Sequence, residues 1–308
     1  MARACVCLLT VLASAATSTG NQTVFRGGID LVTFGVTVTD RKGALVTDLS
    51  RADFAIVEDG RPQSLQHFAP AMGDGNHDEE SLADLHPGLL LDTSGSMDQD
   101  LRLARTAAIR FLNLLPRSED ITLVDFDTEV RVTRYPQRDF PRMVERIRSR
   151  KADGQTALYD ALGVYLDGAS SQSGRPVLVI YSDGADSSSR LSFKEAIDLL
   201  RASHATVYAI GLLEHSGGAR MQSRMNLERI AETTGGLALF PHSLEELEDF
   251  YGRILREIRA QYQLGYVSAN TAADGRWRNV EVKVTRPGVK VRARKGYYAA
   301  FKPQQPRR

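Results

Sequence analysis

Three patterns of hydrophobic and polar positions follow one another along the chain. From Ile29 to about Ala69 the period is two. In LVTFGVTVTDRKG, Val32, Phe34, Val36 and Val38 fall on one face and Thr33, Thr37 and Thr39 on the other, predicting a half-buried strand that ends in an Asp40-Arg41-Lys42-Gly43 turn. Two shorter strands follow, about Phe54 to Glu58 and Ser64 to Phe68, separated by an Asp59-Gly60 turn with Pro62 close behind. Residues 70–86 then carry Asp74, Asp78, Glu79, Glu80 and Asp84 with no Lys or Arg, the pattern of an exposed acidic linker.

From Pro87 the chain alternates strands with helices. GLLLD and PVLVIYSDG are unbroken apolar runs ending in a carboxylate, as expected of strands buried on both faces. ITLVDF and ATVYAIGL are further strands, VRVTRY is short and polar enough for an edge, and GLALF is a short one. Leu101, Ala104, Ala108, Phe111, Leu112 and Leu115 recur at helical spacing, predicting a helix over 98–115. Further helices are expected over about 140–149, 156–166 and 226–234, and after capping boxes at Ser192–Glu195 and Ser243–Glu246, the last reaching about Arg259. This alternation implies an α/β fold: a doubly wound, mostly parallel sheet with helices on both faces. From Tyr262 the period returns to two, with YQLGYVS, WRNVEVKVTR and VKVRARKGYYA reading as three antiparallel strands. Three strands on either side are too few for an independent core. The expected organisation is therefore an α/β domain at 87–261 flanked by β segments at 29–69 and 262–302, which pair into a small antiparallel β-sandwich-like domain.

Composition narrows the function classes. The 308 residues carry a formal charge of +1, so no whole-protein field draws nucleic acid or an anionic membrane. Residues 1–20 (MARACVCLLTVLASAATSTG) have one cation, an apolar run and an Ala13-Ser14-Ala15 triplet, the pattern of a secretory signal peptide, which implies a secreted or periplasmic protein. Cleavage would remove Cys5, Cys7 and Arg3, leaving a mature chain of zero formal charge without thiol chemistry or disulfides; the alternative is that the segment is kept as an anchor. No later stretch is apolar enough for a transmembrane helix. Nothing in the sequence sets an oligomeric state.

Open α/β sheets bind ligands at the carboxyl ends of their strands. That rule selects Asp92-Thr93-Ser94-Gly95-Ser96, Asp183-Gly184 and the Gly154-Gln155-Thr156 loop, so Asp92, Ser94, Ser96, Thr156 and Asp183 form the candidate metal site. Taken singly, Asp92 also reads as a turn residue, and Ser94 and Ser96 as caps of the following helix. Together they offer oxygen donors alone with only two carboxylates, a set suited to Mg²⁺, with Mn²⁺ or Ca²⁺ as substitutes. Neutral hydroxyls leave such an ion electron-poor and ready to take an anionic oxygen, such as a partner's carboxylate.

This constellation resembles the metal-ion-dependent adhesion site of von Willebrand factor type A (VWA) domains. The resemblance covers about Pro87 to Arg259, and the chain as a whole is similar to the secreted VWA-related proteins of Acidobacteria. It implies direct metal contacts from Ser94, Ser96 and Thr156, with Asp92 and Asp183 acting largely through bound water. It also implies a non-enzymatic module for adhesion-type protein binding. The family often has Gly-Gly-Thr where this chain has Gly154-Gln155-Thr156.

Two other classes compete. A Mg²⁺-dependent phosphohydrolase would use Asp92 as nucleophile, but the second acid expected two residues later is Ser94. An envelope scaffold would leave the site unused. A Ser-His-Asp hydrolase is disfavoured, because no G-x-S-x-G elbow follows a strand. Asp125, Asp127 and Asp186 read as solvated, and Arg286, Lys290, Arg292, Arg294 and Lys295 as an exposed outer face. Specificity is expected in the Glu214–Ser223 loop.

Overall fold

The computed structural model describes residues 31–71, 85–115, 120–170 and 174–301. The expected signal peptide and most of the acidic linker lie outside the described residues. The six-stranded sheet is built from β5 (Leu85–Asp92), β6 (Asp120–Phe126), β7 (Val130–Pro136), β8 (Arg175–Ser182), β9 (Thr206–Gly211) and β10 (Ala238–Leu239). Their order is β10-β9-β8-β5-β6-β7, parallel except for the antiparallel edge strand β7. Successive residues of the central strands bury on opposite faces. Leu89 and Leu91 pack with Val179 and Tyr181 under α1 (Leu101–Leu114), α2 (Phe140–Ser149) and α6 (Leu244–Arg259). Leu90 packs with Leu178 and Ile180 under α3 (Leu158–Ser170), α4 (Phe193–Ala202) and α5 (Arg220–Thr233). Each fully buried Leu or Ile of this kind contributes about 1.5–3 kcal/mol.

The remaining strands form two antiparallel sheets. β1 (Leu31–Asp40) and β4 (Leu65–Ala69) join β11 (Tyr262–Val267) and β13 (Val289–Arg292) in the order β13-β1-β11-β4. β2 (Phe54–Glu58) and β3 (Arg61–Gln63) join β12 (Trp277–Val284) and β14 (Gly296–Tyr298) in the order β14-β12-β2-β3. Both sheets bury one face in a shared core of Phe34, Val36 and Val38 against Phe54, Ile56, Tyr262 and Val280. Asp59 and Gly60, both at positive φ, make the two-residue hairpin between β2 and β3. Pro62 sits in edge strand β3, where its missing N–H costs no ladder bond.

The mixed α/β class with separate antiparallel sheets is what the sequence predicts; several local readings are corrected. VKVRARKGYYA is two strands in different sheets, β13 and β14, parted at Ala293–Lys295. α5 starts at Arg220, six residues before the expected helix, and so takes up the end of the Glu214–Ser223 loop. At α6, Ser243 accepts the Glu246 N–H, but the Glu246 carboxylate accepts from His242 N–H (2.8 Å), so the reciprocal half of the box moves back one residue. Arg292 and Arg294 are not on a solvated face. Arg292 pairs with buried Glu257 of α6 and donates to Gly235 O, while Arg294 donates to Ser203 O and Thr33 O and lies over the Phe34 ring. Burial pushes the Arg294 guanidinium down to about 10.

Candidate metal centre

β5 and β8 lie side by side and parallel, although β6 and β7 intervene in the chain on the far side of β5. The strand order reverses here, so the loops after β5 and β8 diverge to opposite faces and leave a crevice at their carboxyl ends. Asp92 ends β5 with no exposed surface. One carboxylate oxygen, Oδ1, accepts from Ser94 N–H (3.0 Å) and the Ser94 hydroxyl (2.5 Å), and Oδ2 accepts from the Ser182 hydroxyl (2.6 Å). Ser94 Oγ and Ser96 Oγ are 3.1 Å apart, Ser94 buried and Ser96 exposed. Thr93 turns away: its N–H and hydroxyl both donate to Phe126 O, fastening the loop to β6.

Backbone bonds bind the three loops to one another. Gly95 N–H donates to Gly154 O (3.0 Å) and Asp153 N–H to Thr93 O (3.0 Å). Thr156 O accepts from Ser187 N–H (2.9 Å) and Ser188 N–H (3.0 Å), while Thr156 N–H donates to Ser187 Oγ (3.0 Å). Gly154 (φ +71°) and Gly184 (φ +75°) occupy the left-handed region, where a Cβ would meet Thr128 Oγ1 at 2.6 Å and Ser223 O at 2.8 Å respectively. Gln155 needs no such freedom; its N–H donates to Thr128 Oγ1 (2.8 Å), which accounts for a non-glycine residue in this loop.

Burial is the main force on Asp92 and pushes its carboxyl up to about 7. The Ser182 and Ser94 hydrogen bonds oppose the rise, and the neighbouring Asp183 carboxylate adds to it. Asp183 is itself buried, with Oδ1 accepting only the Ala185 N–H (3.0 Å) among the described residues. The crevice thus gathers two carboxylates and hydroxyls, and none of the hydrogen bonds to Asp92 comes from a cation. Among the described residues no group of three or more His, Cys, Asp or Glu side chains gathers as a metal cage. The donor set fits a hard divalent ion that retains water, not a thiolate or imidazole site.

A family model of the von Willebrand factor type A domain matches residues 88–253, more than half of the chain. The chain belongs to that family. VWA domains are generally interaction modules rather than enzymes, and they bind proteins. No curated protein is significantly similar in sequence. Similar solved structures include a von Willebrand factor type A protein from Catenulispora acidiphila (13% identity over 90% of this chain and 75% of that one, TM-score 0.47). Others are the PilB minor pilin of Streptococcus sanguinis (16%, 57% and 61%, 0.46) and the vWF domain of the pilus tip protein Mfa5 of Porphyromonas gingivalis (12%, 56% and 95%, 0.45). The chain spans 61% of the length of the pilin.

The VWA crevice also enlists residues that the sequence reading passed over or placed in solvent. Ser182 is the polar end of an apolar strand, a signal that was available beside Asp183. Asp125 is buried and ion-paired, and Asp186 accepts Tyr159 N–H (3.0 Å) at the start of α3 and the Ser189 hydroxyl (2.5 Å). Asp127 is engaged by Arg131, which holds its carboxyl below the usual range against the opposing effect of burial. His215, on the loop after β9, contacts Asp100 near the start of α1 (2.9 Å).

Proposed function

We propose that this protein is a secreted VWA module that binds a protein partner through a Mg²⁺ ion, the partner supplying a carboxylate oxygen. Ser94, Ser96 and Thr156 would hold the ion directly, and Asp92 and Asp183 would hold it through water. Bound there, the ion supplies the positive charge that completes the site and a position for an anionic ligand. The observation that carries this reading is Asp92: a fully buried carboxylate with only N–H and hydroxyl partners, next to a second buried carboxylate. Two carboxylates so placed are stabilised by an added cation. Secretion rests on the pattern of residues 1–20, and no helix among the described residues is long and apolar enough to cross a membrane.

The geometry weighs against Asp92 as a nucleophile, because both of its oxygens accept hydrogen bonds. Calorimetric titration with Mg²⁺ or Mn²⁺ is expected to give heat with the wild type and none with Asp92→Ala. Absence of metal-dependent heat in the wild type rejects the metal reading in favour of a scaffold. Hydrolysis of a generic phosphoester that disappears in Asp92→Ala would replace it with a phosphohydrolase. Partners captured from the native secreted fraction should be released by chelator.

A further inference from the structure

The α1–α2 layer carries a dense positive charge that the metal site does not use. α1 holds Arg102, Arg105 and Arg110 and no carboxylate; α2 and the two residues after it hold Arg142, Arg146, Arg148, Arg150 and Lys151 against Glu145 alone. Part of this charge is neutralised internally, since Arg146 and Arg150 share buried Asp125 and Arg110 pairs with Glu248 of α6. Arg105 donates to the carbonyls of Arg148 (2.7 Å) and Arg150 (2.8 Å), which ties α1 to the end of α2 without cancelling its charge. Arg102, Arg142 and Arg148 form no ion pair among the described residues.

These side chains border two adjoining clefts. One, of about 420 Å³, lies between the helices and is lined by Arg102, Arg105, Thr106, Ile109, Arg110 and Arg148. The other is a shallow surface along α2, bordered by Arg142, Glu145, Arg146, Arg148 and Ser149, and Arg148 borders both. We propose that this arginine-lined furrow binds a linear acidic polysaccharide bearing repeated carboxylate or sulfate groups.

Guanidinium groups present paired N–H donors that match such planar or tetrahedral anions. From Arg102 to Arg110 the helix advances about 12 Å, and Arg102, Arg105, Arg110 and Arg148 border the same cleft, so several anionic groups of one chain can be met at once. Among the described residues no aromatic side chain lines either cleft, so the stacking platforms that single-stranded nucleic acid uses are not seen there. The apolar faces of both helices, Ala104, Ala108 and Phe111 with Met143 and Ile147, are buried against the sheet, leaving no apolar stripe to enter a bilayer.

The test uses the full chain and fluorescein-labelled heparin oligosaccharide and polygalacturonate, read by anisotropy in EDTA so that the result is independent of the metal site. Both glycans are expected to bind at about 50 mM salt and to be released as salt rises. The triple variant R102E/R142E/R148E should bind at least about tenfold more weakly at an unchanged melting temperature, because these arginines form no ion pair among the described residues. Lys290→Glu with Lys295→Glu, on the sandwich, should bind as the wild type does. Three results overturn the proposal: no binding in EDTA at low salt, an equal loss in the sandwich variant, or tighter binding to a single-stranded oligonucleotide or to phosphatidylglycerol vesicles than to either glycan. A triple variant that melts early is replaced by R102Q/R142Q/R148Q, for which weaker glycan binding is again expected and undiminished binding counts against the furrow.

Discussion

Asp92 and Asp125 stand at the carboxyl ends of adjacent parallel strands, Asp125 in register with Leu91. Both are buried, at 0% and 2% exposure. Asp125 receives three guanidiniums brought by three segments: Arg131 of β7 (2.8 Å), Arg146 of α2 (3.1 Å) and Arg150 beyond it (2.6 Å). Asp92 receives one N–H and two hydroxyls, with a second carboxylate beside it. One charge is thus balanced by the chain and welds helix, strand and loop together; the other is left for something outside the chain to balance. Glu58 in the sandwich sharpens the contrast, since it too is held by hydroxyls, from Tyr266 (2.6 Å), Ser268 (2.6 Å) and Tyr297 (3.0 Å). A hydroxyl cradle alone therefore does not mark a site. A neighbouring carboxylate and a position at the switch point do.

Removing Asp125 should produce the largest effect. Asp125→Ala leaves Arg146 and Arg150 without their counter-charge, while Arg131 keeps Asp127 and Glu129, and is expected to cost about 3–5 kcal/mol in denaturant unfolding. A loss under about 1 kcal/mol would mean that water already balances the cluster and would dissolve the contrast. Asp92→Asn should do the opposite: metal-free stability is kept or raised, while stabilisation by Mg²⁺, about 2.7 kcal/mol at a hundredfold excess over Kd for the wild type, is abolished. Thermal melts with and without Mg²⁺ check both halves. Gly184→Ala forces a Cβ into a left-handed position 2.8 Å from Ser223 O. It should cost about 1–2 kcal/mol from backbone strain alone and weaken metal binding.

The raised carboxyl of Asp92, at about 7, sets a pH dependence. Its proton is held more tightly folded than unfolded, so the metal-free protein loses stability from this group as pH rises from about 4 to 7. Metal displaces that proton, so Mg²⁺ affinity should rise about tenfold per pH unit between roughly 5 and 7 and then level off. A flat profile in calorimetry would show that Asp92 is not the group that the ion meets. The smallest effect provides a baseline: Ser192→Ala removes the side chain that accepts Glu195 N–H at the start of α4 and should cost about 1 kcal/mol without touching metal binding.

Much of the fold was legible because burial on both faces leaves an unmistakable run: Leu89–Leu91 and Val177–Tyr181 could be little else than central strands. The edge character of β7 and the α2 boundaries were equally readable from polarity and spacing. Asp92, Ser94, Ser96 and Asp183 share the crevice because strand ends in a parallel sheet lie together by construction, whereas Thr156, on the loop between α2 and α3, belongs to a loop tied to the β5 loop by the Gly95–Gly154 and Asp153–Thr93 backbone bonds. Side chains whose roles depend on distant partners leave no such local signal. Asp125 looks solvated until arginines from β7 and α2 are folded onto it, and Arg292 and Arg294 look exposed until α6 and α4 are placed beneath β13 and the residues following it.

The sequence by itself determined the α/β alternation, the order of strands and helices and the chemical character of the crevice, since these follow from local periodicity and from side chains at strand ends. Only the tertiary structure decided which carboxylate is neutralised from within and which is left short of charge. It also decided that β13 and β14 belong to different sheets, and that arginines on two helices line one furrow. Those outcomes depend on approach between segments far apart in the chain, and charge balance in a buried site is set by whatever the fold brings within a few ångströms of it.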